Sequence, residues 1–252
     1  MLTLANKHIF IAGGSRGIGA AVARLAAKAG ANVSVNYRSS ADEARAVVGD
    51  VEKLGRKAIA LAADVADENA MERAVDAAVA HCGPLTSLVV SAGIFESCPL
   101  EQMTVAFWER TMSINLRGTF LAVKAAARQL RAAKRGGSIV IYTSTAGQRG
   151  SSQFSAYATS KGAQIMFMRS MALELAPDRI RVNCIAPSWT ETDMSGGVMD
   201  AIGREQILKG CPLGRVGAPT DVANATCYLL SDLAEFMTGT TMTVDGGIDM
   251  RG

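Results

Sequence analysis

Short apolar runs alternate with amphipathic or alanine-rich stretches along this chain, and that alternation limits the fold more than any other feature. The apolar runs lie at residues 8–12, 32–36, 57–62, 87–90, 138–142, 181–186 and 240–244. Helical patterns fall between them, at about 20–29, 67–81, 100–112, 116–134, on to 176, and 221–230. A strand followed by a helix and another strand closes as a right-handed crossover. Repeated seven times, this predicts an α/β fold with a seven-stranded parallel sheet and helices on both faces. Both faces of such a sheet must be buried, and 49% apolar residues supply the core. No linker, repeat or low-complexity segment interrupts residues 1–252, so one domain is expected.

The first run ends in Gly13-Gly14-Ser15-Arg16-Gly17-Ile18-Gly19, and a helical segment follows. Strand, glycine loop and helix together bring backbone N–H groups and a positive helix end to a phosphate. The glycines are spaced GxxxGxG, a weak signal alone. The second run ends at Tyr37-Arg38-Ser39-Ser40. In a dinucleotide-binding fold this turn, about 20 residues past the glycines, meets the adenosine ribose, where an acid would hold the 2′-hydroxyl of NAD. Here Arg38, Ser39 and Arg16 suit a 2′-phosphate instead, which predicts NADP(H).

The segment 144–161, STAGQRGSSQFSAYATSK, carries a phenol and an ammonium four residues apart, Tyr157 and Lys161. Apolar residues at 165, 167, 168, 171, 173 and 175 continue it as a helix, which places the two side chains on one face. A free phenol titrates near ~10, and a neighbouring cation favours the phenolate. Ser144 lies 13 residues before Tyr157, at the end of an apolar run, where its hydroxyl can share a substrate oxygen with the phenol. Such a set moves a proton to or from a carbonyl or alcohol. The spacing alone is far more often a solvated surface pair, so the rest of the chain must decide.

A net charge of +3 with acids and bases interspersed gives no field for nucleic acid or membrane. The basic group Arg128, Arg131, Lys134 and Arg135 suits a helix C-terminus. Five dispersed cysteines without a CxxC argue against disulfides, and a reducing cytoplasmic setting is expected. With two histidines and no ligand spacing, no metal is expected. No signal-peptide core precedes the first glycines, and the longest uncharged stretch, 77–95, is broken by Gly83-Pro84.

Taken together, these segments resemble the short-chain dehydrogenase/reductase family, in its single-domain Rossmann branch, and the resemblance covers nearly the whole chain. Similar members include 3-oxoacyl-[acyl-carrier-protein] reductases and glucose dehydrogenases. Ala12 to Gly19 resembles the family's TGxxxGIG loop, with Ala12 for threonine. Asp64-Val65 matches its adenine-contacting pair. Ser91-Ala92-Gly93 resembles its NNAG element, with serine for asparagine. The segment from Pro187-Ser188-Trp189-Thr190 to Thr192 resembles its PG segment, with Ser188 for glycine, and Val244 to Gly247 its C-terminal signature. Asn115, Ser144, Tyr157 and Lys161 fall where its catalytic tetrad falls. The resemblance implies that Tyr157 exchanges the proton and that Lys161 lowers its pKa and binds the nicotinamide ribose. It further implies that Ser144 orients the carbonyl, Asn115 holds a water linking Lys161 to solvent, and Pro187, Thr190 and Thr192 border the nicotinamide.

The substrate pocket is expected from Thr145, Ala146, Gln148, Phe154 and Trp189, beneath a small lid at about 190–215. Met194, Met199, Ile202, Ile207 and Leu208 would make that lid apolar. No charge cluster is apparent for an anionic substrate, so a neutral ketone is expected, reduced to a secondary alcohol by NADPH. Reduction of 3-oxoacyl groups on acyl carrier protein is one alternative, weakened because Leu173 stands where such relatives often carry a basic residue. A sugar or polyol dehydrogenase is another, since Asn-Tyr-Arg-Ser occurs there too. A non-catalytic NADP-binding sensor fits poorly, because all four catalytic positions are kept. Family resemblance and an apolar face of Ile165, Met168, Met171 and Ala172 predict a homotetramer.

Overall fold

The computed structural model describes residues 2–249. Seven strands form one sheet: β1 (His8–Ala12), β2 (Asn32–Tyr37), β3 (Ala58–Ala62), β4 (Ser87–Val90), β5 (Gly137–Tyr142), β6 (Ile180–Pro187) and β7 (Thr241–Val244). Their order is β3-β2-β1-β4-β5-β6-β7, and every pairing is parallel. The seven expected strands are all present, with ends displaced by a residue at most.

The alternating side chains of β1 show how the layers arise. Ile9 and Ile11 pack on one face against α1 (Gly17–Lys28) and α2 (Ala41–Glu52). Phe10 and Ala12 pack on the other against α3 (Glu68–Cys82). The helix α2 escaped the sequence reading, because low overall hydropathy hides its stripe of Ala44, Val47 and Val51. Beyond it come α4 (Val105–Met112), capped by the Thr104 hydroxyl, and α5 (Gly118–Ala133). The two run on through a wide π-helical turn, Ser113–Arg117, at the expected junction of the two helical stretches. Next are α6 (Thr145–Arg149) and α7 (Ser155–Leu175), and α10 (Pro219–Leu230) closes the face opposite α5 and α7. The excursion after β6 folds as two short helices, α8 (Asp193–Ile202) and α9 (Arg204–Lys209). Arg128 and Arg131 sit near the end of α5, paired with Asp76 and Asp178. No helix of the described residues is long and apolar enough to cross a membrane.

The stripe on α7 needs a correction. Met168 and Ala172 belong to the core beneath the sheet, Ile165 is buried and Met171 packs on the same cluster. That face is covered within the chain, so it gives no argument for assembly.

At the opposite end of the sheet from the strand carboxyl ends, His8 is buried. Its Nδ1 meets the Gly83 carbonyl and its Nε2 the Ser34 hydroxyl, each at 2.8 Å. Burial pushes the ring down from 6.5 to about 4. The unfolded chain therefore binds a proton at His8 before the folded chain does. Stability is unaffected above pH 6.5 and is lost as pH falls towards 4, by about 3 kcal/mol at ~1.4 kcal/mol per unit. His8→Gln is expected to flatten the fall of the melting temperature between pH 6.5 and 4 relative to the native chain. Parallel curves for the two proteins would refute this.

Candidate active site

The order of strands reverses between β1 and β4, and the crevice outside their carboxyl ends is where such sheets bind ligands. A cavity of about 510 Å³ opens there. At one end lies the glycine loop. Gly13 has φ +79°, and a Cβ on it would stand 2.6 Å from the Ala92 nitrogen. A Cβ on Gly19 would stand 2.3 Å from the Gly13 carbonyl oxygen. Only glycine lets the loop fold back this tightly. The start of α1 has no side-chain cap and no acid in its first turn, so its N–H groups and positive end face the cavity unopposed. Ser15, Arg16, Gly17 and Ile18 line this end; Gly19 instead packs behind the loop.

Tyr37 ends β2, and Arg38 and Ser39 follow it along the same wall, with Asp64 and Val65 beyond β3. Arg38 is exposed and has no ion-pair or hydrogen-bond partner among the described residues. Arg16 lies 4.0 Å from Asp193 at the start of α8. Ser91 and Ala92 donate their backbone N–H groups to the Ala12 carbonyl at 2.8 and 2.9 Å. This bond is made by the backbone, so serine for asparagine at 91 does not disturb it. Ser188 stands where glycine was expected, and its hydroxyl donates to the Asp245 carbonyl at 3.1 Å. The substitution thus ties the loop after β6 to the C-terminal turn. Pro187, Thr190 and Thr192 line the cavity on that loop.

Ser144, Tyr157 and Lys161 meet in the middle of the cavity. Ser144 ends the β5 connection as the cap of α6, accepting the Ala146 N–H at 3.1 Å, and it hydrogen-bonds the Tyr157 phenol. Tyr157 and Lys161 lie one turn apart on α7. Lys161 is buried, and its Nζ donates to the Tyr142 carbonyl at 2.7 Å, 5.7 Å from the centre of the Tyr157 ring. Asn115 sits in the π-helical turn, fully buried. It accepts from the Ile94 N–H at 2.8 Å and donates to the Ile94 carbonyl and the Ser160 hydroxyl, each at 3.0 Å. Its side chain therefore holds the chain beyond β4 against α7.

One electrostatic expectation is overturned. Burial pushes the Tyr157 phenol up to about 12, and the Ser144 hydrogen bond only partly opposes it. Lysine was expected to lower this value. Its ammonium is spent on the Tyr142 carbonyl, and burial pushes Lys161 itself down to about 8. At neutral pH the Tyr157 phenol carries its proton and can donate it.

Thr145, Ala146, Phe154 and Trp189 line the far end of the cavity as expected. Gln148 does not: its amide donates to the Thr243 hydroxyl at 3.2 Å, away from the cavity. Met194 and Ile202 line the cavity, whereas Met199 and Ile207 are buried beneath it. Several wall residues were missed by the sequence reading, and two of them stand out. Phe95 stacks on Phe154 with centres 4.6 Å apart and meets Tyr157 and Trp189 edge-on at 4.7 and 6.1 Å. Its position just past the Ser91-Ala92-Gly93 strand end was the available signal. Arg149, at the end of α6, is the other.

A glycine cradle, an open helix end and a proton donor sharing one cleft fit a nicotinamide dinucleotide, and they define an oxidoreductase of Rossmann type. A family profile described as enoyl-(acyl carrier protein) reductase matches residues 12–249. The chain is 36% identical to 3-oxoacyl-[acyl-carrier-protein] reductase of Staphylococcus aureus, over 97% of this chain and 99% of that protein. It is 37% identical to L-rhamnose 1-dehydrogenase (NAD(P)(+)) of a Sphingomonas strain, over 98% of each. A short-chain type dehydrogenase/reductase from Mycobacterium marinum superposes with a TM-score of 0.94 at 32% identity, covering 99% of this chain and 98% of that one. The chain belongs to the short-chain dehydrogenase/reductase family, oxidoreductases acting on CH–OH and C=O groups.

Proposed function

We propose that this protein is an NADPH-dependent reductase that converts a ketone to a secondary alcohol. The observation that carries the reading is the meeting of Ser144, Tyr157 and Lys161 on the wall of the cleft that the glycine loop opens into. When bound between the glycine loop and Tyr157, NADPH would supply the hydride for the carbonyl carbon. Ser144 donates a hydrogen bond that orients the carbonyl oxygen, and Tyr157 delivers its proton to that oxygen as charge builds there. Lys161, its ammonium on the Tyr142 carbonyl and one turn along α7 from Tyr157, would hold the nicotinamide ribose, and Asn115 keeps the wall beyond β4 in place. Gly13, Gly17 and the start of α1 would hold the diphosphate; Arg38 and Ser39 would hold the 2′-phosphate, with Arg16 alongside. Asp64 and Val65 would border the adenine. The segment 190–215 acts as the lid.

Two other readings have support in the relatives. Acyl-carrier substrates are favoured by the staphylococcal reductase, but Leu173 is 81% exposed where a basic residue would meet an acidic carrier. Sugar oxidation is favoured by the rhamnose dehydrogenase. Following NADPH oxidation with ketones, sugars and acyl thioesters separates the three. Turnover confined to sugars or thioesters would displace the ketone reading. A homotetramer remains part of the proposal, now on the exposed side chains Val105, Trp108, Phe120 and Met166. A monomer mass by light scattering at micromolar concentration would remove it.

A further inference from the structure

Arg149 is a cation on the substrate side of the cavity for which neither the cofactor nor the proton chemistry has a use. Of the four basic side chains on the cavity wall, Arg16 and Arg38 belong to the glycine and β2 loops, and Lys161 is engaged at Tyr142. Arg149 sits on the connection from β5 to α7, the same connection that supplies Ser144, Thr145 and Phe154 to the wall. Its side chain is sheltered but reachable, 37% exposed. Gly150, at φ +81°, turns the chain so that Ser151 and Ser152 also reach the wall.

The guanidinium is also pre-oriented. Its Nε lies 3.5 Å from the Asp249 carboxylate, whose side chain is only 6% exposed. Asp249 is placed by a knotted turn in which the Asp245 carboxylate accepts the Gly247 and Asp249 N–H groups at 2.9 and 2.7 Å. A guanidinium has five N–H donors in a rigid plane. When a carboxylate holds the Nε edge, the remaining edge is presented as a fork to a second, planar anion. A neutral oxygen can accept one of these bonds, but only a carboxylate matches the charge and both prongs of the fork.

We propose that Arg149 selects substrates bearing a carboxylate: the acid group of a keto acid docks on its guanidinium, with Ser151 and Ser152 as further donors. The hydrophobic body of the substrate then lies on Phe95, Phe154 and Trp189, and the ketone oxygen meets Ser144 and Tyr157. This rests on the ketone-reductase reading and replaces the neutral ketone expected from sequence with an anionic one. Because Asp249 offsets much of the charge, the attraction acts at contact distance, through hydrogen-bond geometry, more than by long-range steering.

The test uses aryl keto acids of increasing carbonyl-to-carboxylate spacing, each paired with its methyl ester. At the best spacing the acid is expected to exceed its ester at least tenfold in kcat/KM. Arg149→Gln should collapse that preference through KM, and Arg149→Lys, a point charge without the fork, should restore part of it. Calorimetry on the cofactor-loaded protein gives a readout free of turnover. Phenylacetate should bind the native chain at least tenfold more tightly than phenylacetamide, and Arg149→Gln should erase the difference. Equal handling of acid and ester at every spacing, or an unchanged preference in Arg149→Gln, overturns the proposal. A panel with no ketone turnover would bring down the reductase reading alone, and the calorimetry would still decide the carboxylate site.

Discussion

Tyr157→Phe is expected to lower ketone turnover by a factor of 10² to 10⁴, the range general acid–base groups contribute, while nucleotide binding is kept. The ring of Tyr157 packs edge-on against Phe95 at 4.7 Å, and phenylalanine preserves that contact. What disappears is the hydroxyl bonded to Ser144, and with it the proton for the carbonyl oxygen. No neighbour replaces it well. Lys161 is turned to the Tyr142 carbonyl, and Ser144 is a far weaker acid. Single-turnover kinetics with tight nucleotide binding confirmed by fluorescence would show the loss in the chemical step. Turnover within about tenfold of the native chain would mean that the proton comes from elsewhere.

The second large effect concerns the nucleotide. Arg38→Asp is expected to weaken NADPH strongly and to leave NADH unaffected or improved. Arg38 is exposed on the cavity wall without a partner among the described residues, so its planar fork is available to two phosphate oxygens at once. Arg16 is less free, because Asp193 lies 4.0 Å away. One charge-assisted contact contributes about 1.5–3 kcal/mol, which favours NADPH by about tenfold to a hundredfold at ~1.4 kcal/mol per decade. An aspartate in its place would repel the phosphate and could instead hold a ribose diol. Arg38 stacked on the adenine is the rival arrangement, and its signature is an equal loss of both nucleotides in the mutant. Equal native efficiency with NADH and NADPH would also exclude the phosphate clamp.

Strands and glycine loop were legible in the sequence because their signals are local. An apolar run such as Ile9-Phe10-Ile11 has few other ways to be buried, and Gly13 marks a turn no other residue fits. The catalytic set was legible by resemblance, since its members lie on three separated segments that only the fold joins. Other features depend on what lies across the gap. The stripe through Ile165 and Met168 was plain, but its spacing does not say whether the sheet or a second subunit covers it. Gln148 and Arg149 are adjacent, yet one turns to Thr243 and the other to the cavity. The titration of Tyr157 depends on burial and on where the Lys161 ammonium points, and neither is written in a four-residue spacing.

The sheet also serves as a ruler. Arg38 follows β2 and Arg149 follows β5, and the order β2-β1-β4-β5 sets three strand spacings between them. At ~4.8 Å each, the ends of β2 and β5 stand about 14 Å apart, and Arg149 lies beyond the end of β5, on α6. Changes at sites separated by more than ~7–10 Å, with no shared partner, combine nearly additively. The choice of nucleotide and the choice of substrate are therefore separable traits of this scaffold. Either can drift, or be redesigned, without renegotiating the other, and a variant altered at both should show the product of the two single effects.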